Sequence, residues 1–215
     1  MRVIDLTQTI SADMPVYPGT ECPTLEPANS YEKDGFKETK LHFYSHTGTH
    51  IDPPYHLFSN RTALDEFDAS QFVGTALVID CRDIPDGGKI TMEHLKKSTE
   101  TTGHVDFLLF NLGWDKRWGT DAYFGDYPCI DDEVLDYIIK SDFKGIGFDV
   151  IGLDPISDVK LLRHNKLLSS KDIINIENLK NLDLCPRAPF LFACLPIKVK
   201  KSDGAPARAV AILND

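Results

Sequence analysis

The chain lacks any paired-cysteine motif. Its five cysteines (Cys22, Cys81, Cys129, Cys185 and Cys194) are odd in number and widely spaced, with no CxxC. That excludes a zinc-thiolate centre and a disulfide framework. No apolar run approaches the roughly 20 residues that cross a bilayer. The opening Met1-Arg2-Val3-Ile4-Asp5 has no signal-like apolar segment. A cytoplasmic protein with no membrane partner is expected. Positive charge is also scarce. Formal net charge is −10, and the one basic cluster, Lys198-Val199-Lys200-Lys201, is short. Nucleic acid is therefore not an expected partner, because phosphate binding needs clustered Lys and Arg. Repeats, low-complexity tracts and linkers are absent too. The 215 residues read as one domain, 1–215, long enough to bury a core.

What the chain does have is a concentration of histidine. The segment His46-Thr47-Gly48-Thr49-His50-Ile51-Asp52-Pro53-Pro54-Tyr55-His56 holds three of the seven histidines and one aspartate. Imidazole is the commonest neutral metal ligand, and Asp adds a hard anionic oxygen. His46, His50 and Asp52 can face one ion, leaving His56 nearby with a free ring nitrogen. That suits a catalytic metal with an open position. A surface accident or tag is the bland alternative. The internal position, the irregular spacing and the interruption by Gly48, Pro53 and Pro54 argue against it.

The rest of the pattern is mixed α/β. Strands are expected at Val3–Leu6, Lys40–Ser45, Phe72–Ile79, Phe107–Phe110, Gly145–Val150, Ile173–Ile176, Phe190–Leu195 and Ala207–Leu213. Thr91 should cap a short helix, with Ile90 and Leu95 spaced as a hydrophobic staple. Asp131-Asp132-Glu133 opens the clearest helix, with Val134, Leu135, Ile138 and Ile139 as its apolar stripe. His164–Leu168 reads as helical. Asp203-Gly204 is a strong turn dipeptide between the last two strands.

Three other segments can carry chemistry. His164 is isolated and can equally be a surface or capping residue. Glu177 closes an apolar strand and can equally cap the next short helix. Asp149 and Asp154 flank a strand end that could line a pocket, although Asp154-Pro155 is favoured as a plain turn. The aromatic run from Trp114 to Tyr127, with Trp118, Tyr123 and Phe124, either walls an apolar pocket or covers the core.

The His46–His56 segment resembles the signature HxGTHxDxPxH of the putative cyclase family of metal-dependent hydrolases, which includes bacterial kynurenine formamidases (arylformamidases) and isatin hydrolases. Other parts agree in order: Asp5-Leu6-Thr7 with Met14–Gly19, then Gly113-Trp114, Trp118-Gly119 and Tyr123-Phe124, then His164 through Leu179, then Asp203–Arg208. The resemblance implies a swivelling β/β/α domain with a mixed sheet and flanking helices. It implies that His46, His50 and Asp52 bind one divalent metal, and that Asp52, His164 and Glu177 bind a second, with Asp52 bridging. It implies His56 as proton shuttle, and it sets Tyr17 and Trp114 beside the substrate. Zinc is the expected ion and manganese the alternative, since mixed His/carboxylate sites accept either. A small-molecule amide substrate and a homo-oligomer, dimer or tetramer, are the expected partners. The expected reaction is hydrolysis of N-formylkynurenine to kynurenine and formate. An isatin hydrolase-like or other cyclic amide or ester hydrolase is the alternative, as is a non-catalytic metal- or ligand-binding protein.

Overall fold

The computed structural model describes residues 1–99 and 103–213. Its strands are β1 (Arg2–Asp5), β2 (Thr24–Asn29), β3 (Glu38–His42), β4 (His50–Asp52), β5 (Val73–Asp80), β6 (Lys89–Ile90), β7 (Phe107–Asn111), β8 (Cys129–Ile130), β9 (Gly145–Phe148), β10 (Ile174–Glu177), β11 (Phe190–Pro196) and β12 (Ala205–Leu213). Its helices are α1 (Tyr31–Asp34), α2 (Met92–Thr99), α3 (Asp132–Lys140) and α4 (Leu162–Ser170).

The main sheet runs β1-β12-β11-β5-β7-β9-β10-β4, and β4 also pairs with β12. That second pairing closes seven strands into a barrel-like ring. The shortest strand of the ring, β4, is the one that closes it. Strands β5, β7, β9 and β10 are mutually parallel. Parallel neighbours need long crossovers, and α2, α3 and α4 supply them. All other pairings in the ring are antiparallel.

Strand alternation sorts the core into two clusters. Phe107 and Leu109 of β7 pack with Ile51, Ile174, Ile176 and Phe192. Leu108 and Phe110, one residue out of phase, pack with Leu95, Val134, Leu135, Ile138 and Leu167 of the helices. The first cluster is crowded. A Cβ on Gly147 would lie 2.7 Å from Leu179 and 2.9 Å from Leu109, so the strand passes there only without a side chain. Asp131 caps α3 by accepting from the Val134 amide at 2.8 Å. Ile90 and Leu95 are both fully buried in the helix-side cluster, as a staple requires.

One strand differs from the sequence expectation. The expected strand Lys40–Ser45 does not join the main sheet beside the histidine cluster. Instead β3 ends at His42 and pairs with β2 in a separate, exposed hairpin. The strand that enters the ring is β4, reached through a loop in which Gly48 takes φ 62°. Every residue of β3 is exposed, so this segment reads as a strand without being part of the core.

Asp149, just past β9, is almost fully buried. Its carboxylate accepts from the amides of Leu112 and Trp114, each at 3.0 Å, and so ties down the loop after β7. Burial pushes this carboxyl up from 3.8 to about 7, against the opposing pull of those amides. The folded chain therefore holds the proton more tightly than the unfolded one. This group's contribution to stability falls as pH rises from 3.8 to about 7. Asp149→Asn should gain on the wild type across that window. Urea unfolding of both proteins over the same pH series checks this, and a difference independent of pH would refute it.

Candidate metal centre

The site is built on the antiparallel pairing of β4 and β10. Its register places His50 opposite Glu177, Ile51 opposite Ile176, and Asp52 opposite Asn175. Ile51 and Ile176 pack into the core. By alternation, the four polar residues share the other face. His46 precedes β4 in the loop. His56 follows in a single helical turn, Pro54–His56, started by Pro54 at its first position. His164 comes from the first turn of α4.

Asp52 sits at the centre. Its Oδ1 is 2.7 Å from His46 Nδ1 and 3.2 Å from His50 Nε2. Its Oδ2 is 3.5 Å from His164 Nε2 and 3.0 Å from Asn175 Nδ2. Glu177 Oε1 is 3.1 Å from His164 Nε2, and Oε2 is 3.5 Å from His50 Nε2. Three groups of ligand atoms result, each within 4.8 Å: His46–His50–Asp52, Asp52–His164–Glu177 and, nearer the surface, His46–His56–Asp203. The first two share Asp52. The two oxygens of Asp52 divide between them.

Each ligand imidazole is held by its other nitrogen. His50 Nδ1 donates to the Gly48 carbonyl at 2.9 Å. His164 Nδ1 donates to Asp154 Oδ2 at 2.7 Å. His46 Nε2 lies 3.2 Å from Asp203 Oδ2. Acceptors on the far nitrogens fix the tautomer and turn the remaining lone pairs into the site. Among the described residues His56 has no such anchor. Its ring is 4.2 Å from that of His46 and 6.4 Å from that of His164.

The charges favour a cation. Asp52 and Glu177 are nearly fully buried, and every ion pair they make among the described residues is with a histidine. Burial opposes charge on His46, yet Asp52 and Asp203 hold its pKa up at about 10. Burial is likewise overcome at His164 by Asp154, Asp52 and Glu177, which raise it well above the usual value. Asp203 drops to about 2 through its bond to His46. His56, by contrast, is lowered, first by burial. Buried carboxylates that recruit protons onto neighbouring imidazoles form a donor set suited to a divalent ion, which would replace those protons.

The cluster forms the floor of a cavity of about 440 Å³, walled by Met14, Val16, Tyr17, Ile151, Val159 and Leu161. Tyr17 is on the wall, and Trp114 is not. Trp114 lies in the core against Tyr127, its indole N–H donating to the Tyr123 carbonyl at 2.9 Å. The expectation that it faces substrate is corrected: the aromatic run is core cover at that position. Asp154 is corrected in the other direction. Read as a plain turn residue, it accepts from the amides of Arg163 and His164 and from the His164 ring. Asp149, flanking the same strand end, faces the loop after β7 instead.

Sequence reasoning missed Asn175, Asn178 and Asp203 as members of the site. Asn178 Nδ2 donates to the Gly48 carbonyl, the same oxygen that holds His50. Gly204 has a visible role, because a Cβ there would come within 2.5 Å of the His46 ring.

The family model described as Putative cyclase matches residues 4–155. The chain belongs to the cyclase family. It is 28% identical over 209 residues to a kynurenine formamidase of Bacillus cereus, covering 96% of this chain and 95% of that one. Isatin hydrolase A from Labrenzia aggregata, solved with benzyl benzoate, superposes with TM-score 0.86 at 27% identity, covering 98% and 93%. A predicted metal-dependent hydrolase from Bacillus stearothermophilus superposes with TM-score 0.73 at 25% identity, covering 98% and 97%. The fold is thus the mixed α/β fold of the cyclase-family hydrolases. Among the described residues no helix is long and apolar enough to cross a membrane.

Asp52→Ala should lose metal more completely than His46→Ala or His50→Ala, because one carboxylate serves two of the groups. After reconstitution with a divalent metal and dialysis, the metal content of this variant should fall below that of either histidine variant. Full metal content in the variant would remove the bridging role.

Proposed function

We propose that this cyclase-family protein is a metal-dependent amide hydrolase and, more finely, a cytoplasmic arylformamidase that converts N-formylkynurenine to kynurenine and formate. The observation that carries the hydrolase reading is the convergence of His46, His50, Asp52, His164 and Glu177 on the floor of one cavity, with His56 beside them. The formamidase reading is supported by the Bacillus relative that aligns along nearly the whole chain.

A divalent ion held by these five residues, zinc by expectation and manganese as alternative, would lower the pKa of water and polarise the amide carbonyl. The chain's own residues do the rest. Asp52 and Glu177 supply the negative charge that fixes the ion's place. Gly48, Asp154 and Asp203 keep the imidazoles turned toward it. The apolar wall offers a seat for an aromatic ring. His56 takes a proton from the attacking water and returns it to the amide nitrogen as the C–N bond breaks. Its ring is 4.2 Å from that of His46, and it stands outside the two groups that share Asp52, in a group with His46 and the half-exposed Asp203.

One observation favours the second reading, a cyclic amide or ester of the isatin kind. No Lys or Arg lines the cavity among the described residues, so the carboxylate of N-formylkynurenine has no cationic partner there, whereas a neutral lactam needs none. Turnover of formanilides, N-formylkynurenine, isatin and simple lactones by zinc-reconstituted protein decides between these. No turnover of any of them with both ions bound would leave a non-catalytic metal protein. Chelation should abolish hydrolysis, and added zinc should restore it. His56→Ala should keep its metal while losing roughly 10²–10⁴-fold in kcat, the usual range for a general acid–base group. Metal lost in step with activity would make His56 a ligand instead.

The homo-oligomer is also proposed. The β2–β3 hairpin is exposed along nearly its whole length, and Leu25, Tyr31, Phe36 and Leu41 on or beside it are all exposed. Such an apolar arm suits a second copy of the chain. Light scattering on the eluting protein should give a dimer or tetramer, and a monomer at working concentration would reject this.

A further inference from the structure

Strand β10 is apolar except where it meets the site. Ile173, Ile174 and Ile176 are fully buried, and so is Asn175 between them. The Asn175 amide oxygen is buried with no hydrogen-bond partner, a condition shared by no other side-chain atom among the described residues. An orphaned buried acceptor is destabilising, and a leucine of similar size would avoid it. Packing therefore does not account for an amide at this position.

The nitrogen end accounts for it. Asn175 Nδ2 lies 2.8 Å from Glu177 Oε1, 3.0 Å from Asp52 Oδ2 and 3.3 Å from His164 Nε2. These residues are the second ligand group. An amide nitrogen has two hydrogens, and anionic oxygens take them in preference to a neutral ring nitrogen. One goes to each carboxylate. In the ion-loaded state His164 would turn an Nε2 lone pair to the metal, because its Nδ1 proton is committed to Asp154; in the ion-free chain that nitrogen is protonated and cannot accept from the amide. The reverse orientation would set the amide oxygen against both carboxylates. Register and alternation produce the arrangement: Asn175 is opposite Asp52 and two residues before Glu177. Asn175 is not part of the cavity wall, so it reaches both carboxylates from the buried side.

We infer that Asn175 is a positioning residue of the second metal site, a neutral clamp that holds Asp52 and Glu177 at ligand spacing from behind. Neutrality matters here. A Lys or Arg would pair with the same oxygens but cancel the charge that draws a cation. The amide sets the spacing and leaves that charge in place. The inference rests on the two-ion reading of the centre.

Chelator-stripped wild type and Asn175→Leu are titrated calorimetrically with zinc, and the metal-free proteins are melted. The wild type should show two binding events. In the variant one event should weaken about 10–100-fold, the usual effect of removing a residue that supports a metal ligand. The other should stay within about threefold, with the metal-free melting point little changed. Both events weakening together with a large fall in melting point would mean a structural role only. Unchanged affinities would also overturn the clamp. A wild type that binds a single ion would strike down the two-ion reading and the clamp with it. Should the variant not fold, a crystal structure of the zinc-loaded wild type decides. Asn175 Nδ2 within hydrogen-bond distance of both carboxylates supports the clamp. The amide oxygen bound to zinc, or the amide turned away, defeats it.

Discussion

The β4–β10 register is the constraint on which the site depends. Three residue pairs fix it, and their alternation does two things at once. Ile51 and Ile176 anchor the pair in the core. His50, Asp52, Asn175 and Glu177 are delivered to the opposite face. A slip of one residue would bury the ligands among alkyl groups and turn the isoleucines to the cavity. The same β4 closes the ring through β12. Closure of the sheet and assembly of the centre therefore rest on the same strand, with tight packing behind it.

Around that core the fold spends its hydrogen bonds on orientation. The three acceptors behind the imidazoles come from different places: a loop carbonyl at Gly48, the Asp154 carboxylate ahead of α4, and Asp203 in the final hairpin. Asn178 adds a second tier. It takes φ 57°, donates to the Gly48 carbonyl, and accepts from the Tyr123 hydroxyl at 2.6 Å. Tyr123 belongs to the aromatic run that covers the helix-side core. Packing just behind the cavity wall is thereby linked to the tilt of the His50 ring.

How much of this was legible in the sequence depended on distance along the chain. His46, His50, Asp52 and His56 lie within eleven residues, so their chemistry could be read as a local cluster. Strands such as Phe107–Asn111 and the helix after Asp131 were legible because periodicity and capping are local. Asn175 and Asp203 were not, because each acts on a residue more than a hundred positions away. Nothing in an Ile-Asn-Ile run or an Asp-Gly turn reports such a partner. Asp154 was hidden by a stronger local meaning, since Asp-Pro reads as a turn whatever else the carboxylate does. Trp114 failed for the opposite reason: an aromatic residue signals burial, but its sequence does not say whether a core or a ligand buries it.

The remaining question is how a core tolerates so many carboxylates. Asp52, Asp154 and Glu177 are nearly fully buried, and only Asp154 has a guanidinium nearby, Arg163 at 3.5 Å. Burying charge without a partner is costly. In the ion-free chain the partners are imidazoles, which is why His46 and His164 hold protons far above their usual range. Those nitrogens are also the ones a metal needs. Protons and a metal would thus compete for the same lone pairs, and without an ion the protons compensate the buried carboxylates. Had the chain used Lys or Arg for that purpose, the compensation would have been permanent and the lone pairs absent. Histidine lets a single set of side chains satisfy the fold in one state and the ion in the other.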